Sequence, residues 1–119
     1  LPQRPLVLLV EDDAISACAL ATILRKRGFD VLHVLSVSGG IDKLGEQPAI
    51  VILDLMLPDG EGSGVLAEIR RRGLTCRVLV TTASTDPDRL ATLNKLRPDI
   101  VLQKPIDLTR LLEMMRPLN

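Results

Sequence analysis

Residues 51–62 read VILDLMLPDGEG. Ile50 to Asp54 is an apolar run that ends on a carboxylate and meets a turn at once, signalled by Pro58, Gly60 and Gly62. Such a run suits a strand covered on both faces, as in a parallel sheet flanked by helices. A charge at its tip is costly unless something pairs with it. The neighbouring strands, and that partner, must come from the rest of the chain.

Leu6 to Val10 (LVLLV) is a run of the same kind, followed by Glu11, Asp12 and Asp13. Ala14 to Arg27 places Ile15, Ala19, Ile23 and Leu20, Leu24 at helical spacing, with a basic last turn and Gly28 as its stop. Val31 to Val34 reads as a second strand. Val37 to Glu46 reads as a weak helix interrupted by glycines, and Ile50 to Asp54 as the third strand. Gly64 to Arg72 reads as a helix with Val65, Leu66 and Ile69 inward. Arg77 to Thr82 (RVLVTT) is the fourth strand, and Asp86-Pro87 opens a helix that runs to Leu96. Ile100 to Gln103 is the fifth strand and Leu108 to Met115 the last helix. Five strands alternating with five helices over short connections predict a parallel sheet with helices on both faces. One domain is expected over residues 1–119, with a flexible lead-in at 1–5 that contains Pro2 and Pro5. The chain begins at Leu1 rather than Met, and a fragment of a longer protein is expected.

Composition narrows the function classes. At 119 residues and 46% hydrophobic, the chain can build one real core. Phe29 is its only aromatic residue, which argues against base stacking on aromatic platforms. Lys plus Arg equals Asp plus Glu at 15 each, so the domain has no electrostatic footprint for nucleic acid. Arg70, Arg71 and Arg72 read as a solvated last helical turn that suits the helix dipole and is closed by Gly73. Cys18 and Cys76 form no CxxC and read as free thiols of a reducing cytoplasm. No signal peptide or membrane-length apolar run is present in the 119 residues, and a cytoplasmic location is expected. His33, on the second strand, reads as structural and away from the polar edge. Met56, Met114 and Met115 read as packing residues.

In open parallel sheets, sites form outside the carboxyl ends of the strands. Those ends carry Glu11-Asp12-Asp13, then Asp54, then Thr81-Thr82-Ala83-Ser84, then Gln103-Lys104-Pro105. If strands one, three, four and five are neighbours, these groups converge. Clustered acids raise one another's pKa, and a divalent cation relieves them. Oxygen-only donors in a small, hydrated site suit Mg²⁺. A carboxylate held by a cation and by Lys104 can attack phosphorus, with the cation, Lys104 and Thr82 holding the phosphoryl oxygens.

LLVEDD, VILDLMLPDGEG, VLVTTAS and LQKPID together resemble the receiver domains of two-component response regulators, in order and in spacing across nearly the whole chain. The resemblance implies a flavodoxin-like (βα)5 α/β fold with strand order 2-1-3-4-5. It implies a regulatory phosphoacceptor rather than an enzyme. The partner is a sensor histidine kinase or phosphotransfer protein, and the cofactor Mg²⁺. It makes Asp54 the phosphoacceptor, Thr82 the hydroxyl that moves toward the phosphoryl group, and Lys104 the phosphate-binding lysine. Lys104 is thus expected to serve the phosphoryl group and to leave metal binding alone, and the Lys104–Pro105 bond is expected to be cis. Glu11, Asp12, Asp54 and the Met56 backbone carbonyl match the metal ligands. Asp12 with Asp13 is the alternative acid pair, and Thr81 the rival of Thr82. A homodimer through the face of the fourth or fifth helix is expected, without direct contact to nucleic acid or membrane, and the parent is a longer regulator or a hybrid kinase. Val101 stands where such domains often carry a Tyr or Phe, and Asp99 replaces a Gly-Ala turn before the fifth strand.

Bland readings exist for each residue alone: Asp13 as a helix cap, Thr82 as a strand-end hydroxyl, Lys104 as a surface lysine. A flavodoxin would need a phosphate-cradling loop where three acids stand. An aspartate-nucleophile phosphatase carries a second Asp two residues after the nucleophile, where this chain has Met56. A phosphorylation-independent docking module of the same fold is the remaining alternative, and intact Asp12, Asp54, Thr82 and Lys104 argue against it.

Overall fold

The computed structural model describes residues 4–116. In chain order its strands are β1 (Leu6–Val10), β2 (Asp30–Val34), β3 (Ile50–Asp54), the two-residue β4 (Met56–Leu57) and β5 (Gly60–Glu61), β6 (Arg77–Thr82) and β7 (Ile100–Gln103). The helices are α1 (Ala14–Lys26), α2 (Val37–Lys43), α3 (Ser63–Arg72), α4 (Pro87–Asn94) and α5 (Leu108–Met114). The main sheet is parallel throughout, in the order β2-β1-β3-β6-β7. With the small β4–β5 ribbon set aside, that is the expected 2-1-3-4-5.

Alternation along the strands divides the core in two. Val7, Leu9, Ile50, Ile52, Leu79 and Leu102 point to the layer of α1 and α5, with Ala17, Ala21, Leu24 and Leu111 against them. Leu8, Val10, Val51, Leu53, Val78 and Val80 point the other way, toward Val65, Leu66 and Ile69 of α3 and Leu93 of α4. The inner strands are buried on both faces because helices cover both, which is why they read as unbroken apolar runs.

Element edges shift by a residue or two from the sequence expectation. The helix expected over 37–46 ends at Lys43 and continues as a 3₁₀ turn, Leu44–Glu46. Asp86 and Asp107 cap α4 and α5 from outside, their carboxylates accepting from Asp88 N and Arg110 N. Asp99 also finds a role: its Oδ2 accepts from Val78 N at 2.6 Å, tying the turn before β7 to β6. Gly73 closes α3 in the left-handed region at φ 67°, and Arg71 and Arg72 pair with Glu68 on the surface. Arg70 departs from the solvated-turn reading: its guanidinium donates to the Leu96 and Arg97 carbonyls.

Of the lead-in expected to be flexible, residues 1–3 lie outside the described residues. Arg4 and Pro5 are held. Arg4 donates to the Arg25 and Phe29 carbonyls and pairs with Asp30 at 3.0 Å, and Pro5 O accepts from Asp30 N. Among the described residues no helix is long and apolar enough to cross a membrane.

Candidate functional site

The parallel pairing places the ends of β1, β3, β6 and β7 side by side. Val10 is level with Leu53, Asp54 with Thr81, and Thr82 with Gln103. Backbone bonds continue past the strands: Leu55 N donates to Thr81 O, and Lys104 N to Thr82 O. The acids after β1, Asp54 and Lys104 therefore meet at one edge. One carboxylate oxygen each from Glu11, Asp12 and Asp54 lies within 4.8 Å of the others. Glu11 and Asp54 are buried and Asp12 is exposed.

Lys104 is the partner that the acidic strand tip requires. Its Nζ lies 2.8 Å from Asp54 Oδ2 and 3.1 Å from Glu11 Oε1. Partial burial opposes the ammonium charge, but the bonds to Asp54 and Glu11 outweigh it and hold Lys104 above its ordinary range. Burial pushes the Glu11 carboxyl up, and the adjacent Asp54 carboxyl adds to the rise; Asp13 N–H and Lys104 offset part of it. The second Asp54 oxygen, Oδ1, accepts from Met56 N at 3.2 Å. One edge of this carboxylate is thus held by a backbone amide and the other by an ammonium. The Lys104–Pro105 peptide is cis.

Asp13 is committed elsewhere. Its Oδ1 accepts from Ile15 N and Ser16 N, and its Oδ2 from the Ser16 hydroxyl at 2.9 Å, so it caps α1. Ser16 holds its carboxyl below the usual range. Thr82 is fully buried, and its Oγ1 accepts from Ser84 N at 2.9 Å. Thr81 is also buried and is level with Asp54 in the ladder.

Three features escaped the sequence reading. The β4–β5 ribbon turns at Pro58-Asp59 immediately after the acidic tip. Gly62 ends it at a close approach: a Cβ there would run into the Asp54 backbone carbonyl. The Met56 side chain, expected to fill a core gap, is half exposed on this ribbon, because its alternation turns it away from Leu55. His33, expected away from the site, places Nε2 2.7 Å from the Glu11 carbonyl oxygen. A carbonyl only accepts, so this nitrogen carries the proton. The long reach of His33 across the β2–β1 edge leaves no trace in periodicity.

Asp59 fixes the far side of the ribbon. Its carboxylate accepts from Val37 N at 2.8 Å and Ser38 N at 3.1 Å, at the start of α2. Those two bonds hold its pKa below the ordinary 3.8. A carboxylate whose pKa is lower folded than unfolded stabilises above the unfolded value, and the stabilisation fades as pH falls through the folded one. Asp59→Ala is therefore expected to speed amide exchange at Val37 and Ser38 near neutral pH, with the difference from wild type closing below pH 3.8. A pH-independent difference would place the effect in packing instead.

Chemically, the cluster offers carboxylate oxygens only, a donor set that fits a hard divalent cation and suits a soft metal poorly. The adjoining ammonium suits a phosphoryl group.

Residues 7–116 match the family model described as response regulator receiver domain. The sensory transduction protein RegX3 of Mycobacterium tuberculosis is 33% identical over 111 residues, covering 92% of this chain and 48% of that protein. The transcriptional regulatory protein CpxR homolog of Haemophilus influenzae is 35% identical over 101 residues, covering 85% of this chain and 44% of that protein. The chain spans about half the length of these curated relatives. A response regulator receiver protein from Pseudomonas putida has a solved structure that superposes with a TM-score of 0.85 at 30% identity, covering 96% of this chain and 97% of that one.

Proposed function

The chain belongs to the response regulator receiver domain family of two-component signalling, and from that premise we propose that Asp54 is its phosphoacceptor. The observation that carries the reading is the convergence of Glu11, Asp12 and Asp54 on one edge with Lys104 Nζ bonded to two of them.

In this reading a phosphohistidine of a sensor kinase or phosphotransfer protein is the donor. An Asp54 oxygen attacks phosphorus, a P–O bond forms, and the N–P bond breaks with its electron pair left on the imidazole. Met56 N orients the carboxylate, and Lys104 holds its other oxygen and then follows charge onto the phosphoryl oxygens. Glu11, Asp12 and Asp54 would hold Mg²⁺, together with the Met56 carbonyl. The bound cation would shield the incoming phosphoryl group from the carboxylates. Met56 carries no proton to give, which argues against phosphatase turnover, and the complete set of Asp54, Lys104 and Thr82 argues against a purely passive docking module.

Thr82 starts a relay outward. Its Oγ1 accepts from Ser84 N, Ser84 Oγ accepts from Asp86 N at 3.2 Å, and Asp86 Oδ1 accepts from Asp88 N in the first turn of α4. The Thr82 hydroxyl proton is the one that would go to a phosphoryl oxygen, and its movement would draw the loop and α4. The faces of α4 and α5 are then the surface for an output or a homodimer. Val101 packs on the α4 side of the sheet, so no large ring takes part in the switch.

Incubation of the chain with a small acyl-phosphate donor and Mg²⁺ is expected to add the mass of one phosphoryl group, and a chelator to prevent it. No adduct under these conditions, or an adduct indifferent to the chelator, would refute the reading.

A further inference from the structure

Helix α4 is seated less deeply than α1 or α3. α1 buries Ala17, Ala21 and Leu24, and α3 buries Val65, Leu66 and Ile69, whereas α4 buries Leu93 alone. With so little apolar burial, polar contacts weigh in where the helix sits. Arg70 of α3 grips the carbonyls just beyond its C-terminal end. Near its start, Arg89 reaches across to the β4–β5 ribbon. Arg89 Nε lies 2.9 Å from Glu61 Oε1, and its Nη1 lies 3.0 Å from Met56 Sδ. The same ribbon supplies the Met56 amide to Asp54 and is anchored to α2 through Asp59. One guanidinium therefore joins the helix expected to move to the segment that orients the phosphoacceptor carboxylate.

We propose that the Arg89–Glu61 ion pair is a latch that holds α4 in its unphosphorylated position and opens when the Thr82–Ser84–Asp86 relay draws the β6–α4 loop; this rests on the phosphoacceptor reading of Asp54. Both side chains are partly exposed, at 33% and 43%, so the latch is weak enough to be overcome. Exposed ion pairs of this kind bias an equilibrium by about two- to fivefold. Phosphorylation, with its new charge and acceptor oxygens, supplies more than that.

Amide exchange on the full chain without any phosphoryl donor tests the hold on α4. Residues 87–94 are expected to exchange about two- to fivefold faster in Arg89→Gln and in Glu61→Gln. The charge swap Glu61→Arg with Arg89→Glu should restore the wild-type rate. Glu68→Gln, which breaks exposed pairs on α3, should leave α4 unchanged. By linkage, beryllofluoride with Mg²⁺ should bind Arg89→Gln more tightly than wild type by the same factor. Unchanged exchange in both single variants would overturn the latch. Faster exchange with unaltered beryllofluoride affinity would mean mere fraying of the helix and would overturn it too. A wild-type chain that fails to bind beryllofluoride overturns the phosphoacceptor reading and the latch together, whereas wild-type binding that Arg89→Gln does not improve overturns the latch alone.

Discussion

Asp54→Asn is expected to abolish the phosphoryl adduct while leaving the domain within about 1 kcal/mol of wild-type stability, because two charge effects cancel in part. The amide has the same shape and keeps an oxygen to accept from Met56 N. It lacks the anionic oxygen that would attack phosphorus. It also loses the 2.8 Å contact to Lys104, which destabilises, and removes a like charge beside Glu11 and Asp12, which stabilises. Lys104 retains Glu11, so no buried charge is left alone. Intact mass after donor treatment reads the first effect and urea denaturation the second. An adduct at full yield in the variant would place the acceptor elsewhere. A loss of several kcal/mol would show that the carboxylate is there to hold the fold.

Lys104→Ala has the opposite signature. Without the ammonium, Asp54 and Glu11 remain buried with no other cationic side chain among the described residues paired to them. Breaking a buried pair costs about 3–5 kcal/mol; Lys104 is about a third exposed, and solvent screening reduces the expected loss to about 1–3 kcal/mol. The same change is expected to tighten Mg²⁺ binding by on the order of tenfold, since Nζ is bonded to two of the three carboxylates that would hold the cation. This outcome differs from the sequence expectation that Lys104 leaves metal binding alone, because the ammonium sits on two of the candidate ligands. The variant should regain most of its lost stability in Mg²⁺ and respond weakly to beryllofluoride, whose phosphoryl-like fluorines it can no longer bind. Denaturation with and without Mg²⁺, together with a cation titration followed by NMR, separates the two effects. Equal cation affinity in variant and wild type would mean that the ammonium does not compete for the carboxylates.

Much of this protein was legible in the chain itself. Buried parallel strands must be apolar throughout, so LVLLV, IVILD and RVLVTT announce themselves without any partner in view. Helix caps and stops are local chemistry, and Asp13, Gly28, Gly73 and Asp86 act where their types predict. Because a parallel sheet aligns its strand ends, residues that follow those strands in sequence are brought together in space. That is how Glu11, Asp12, Asp54 and Lys104 could be grouped before any distance was known.

Tertiary structure decided what depends on competition between partners distant in sequence. Glu11 and Asp12 are adjacent acids in a string of letters; the sheet brings both to Asp54 but buries Glu11 and leaves Asp12 exposed. The β4–β5 ribbon has two residues per strand, too few to show a period, and it forms because Asp54, Asp59 and Gly62 pin its course. His33 and Arg70 read as structural and surface side chains and Arg89 drew no reading at all, yet each touches a residue more than twenty positions away. Long polar side chains carry no positional signal of their own. Their contacts exist only once the sheet and its helices have fixed where the carbonyls, carboxylates and sulfur atoms lie.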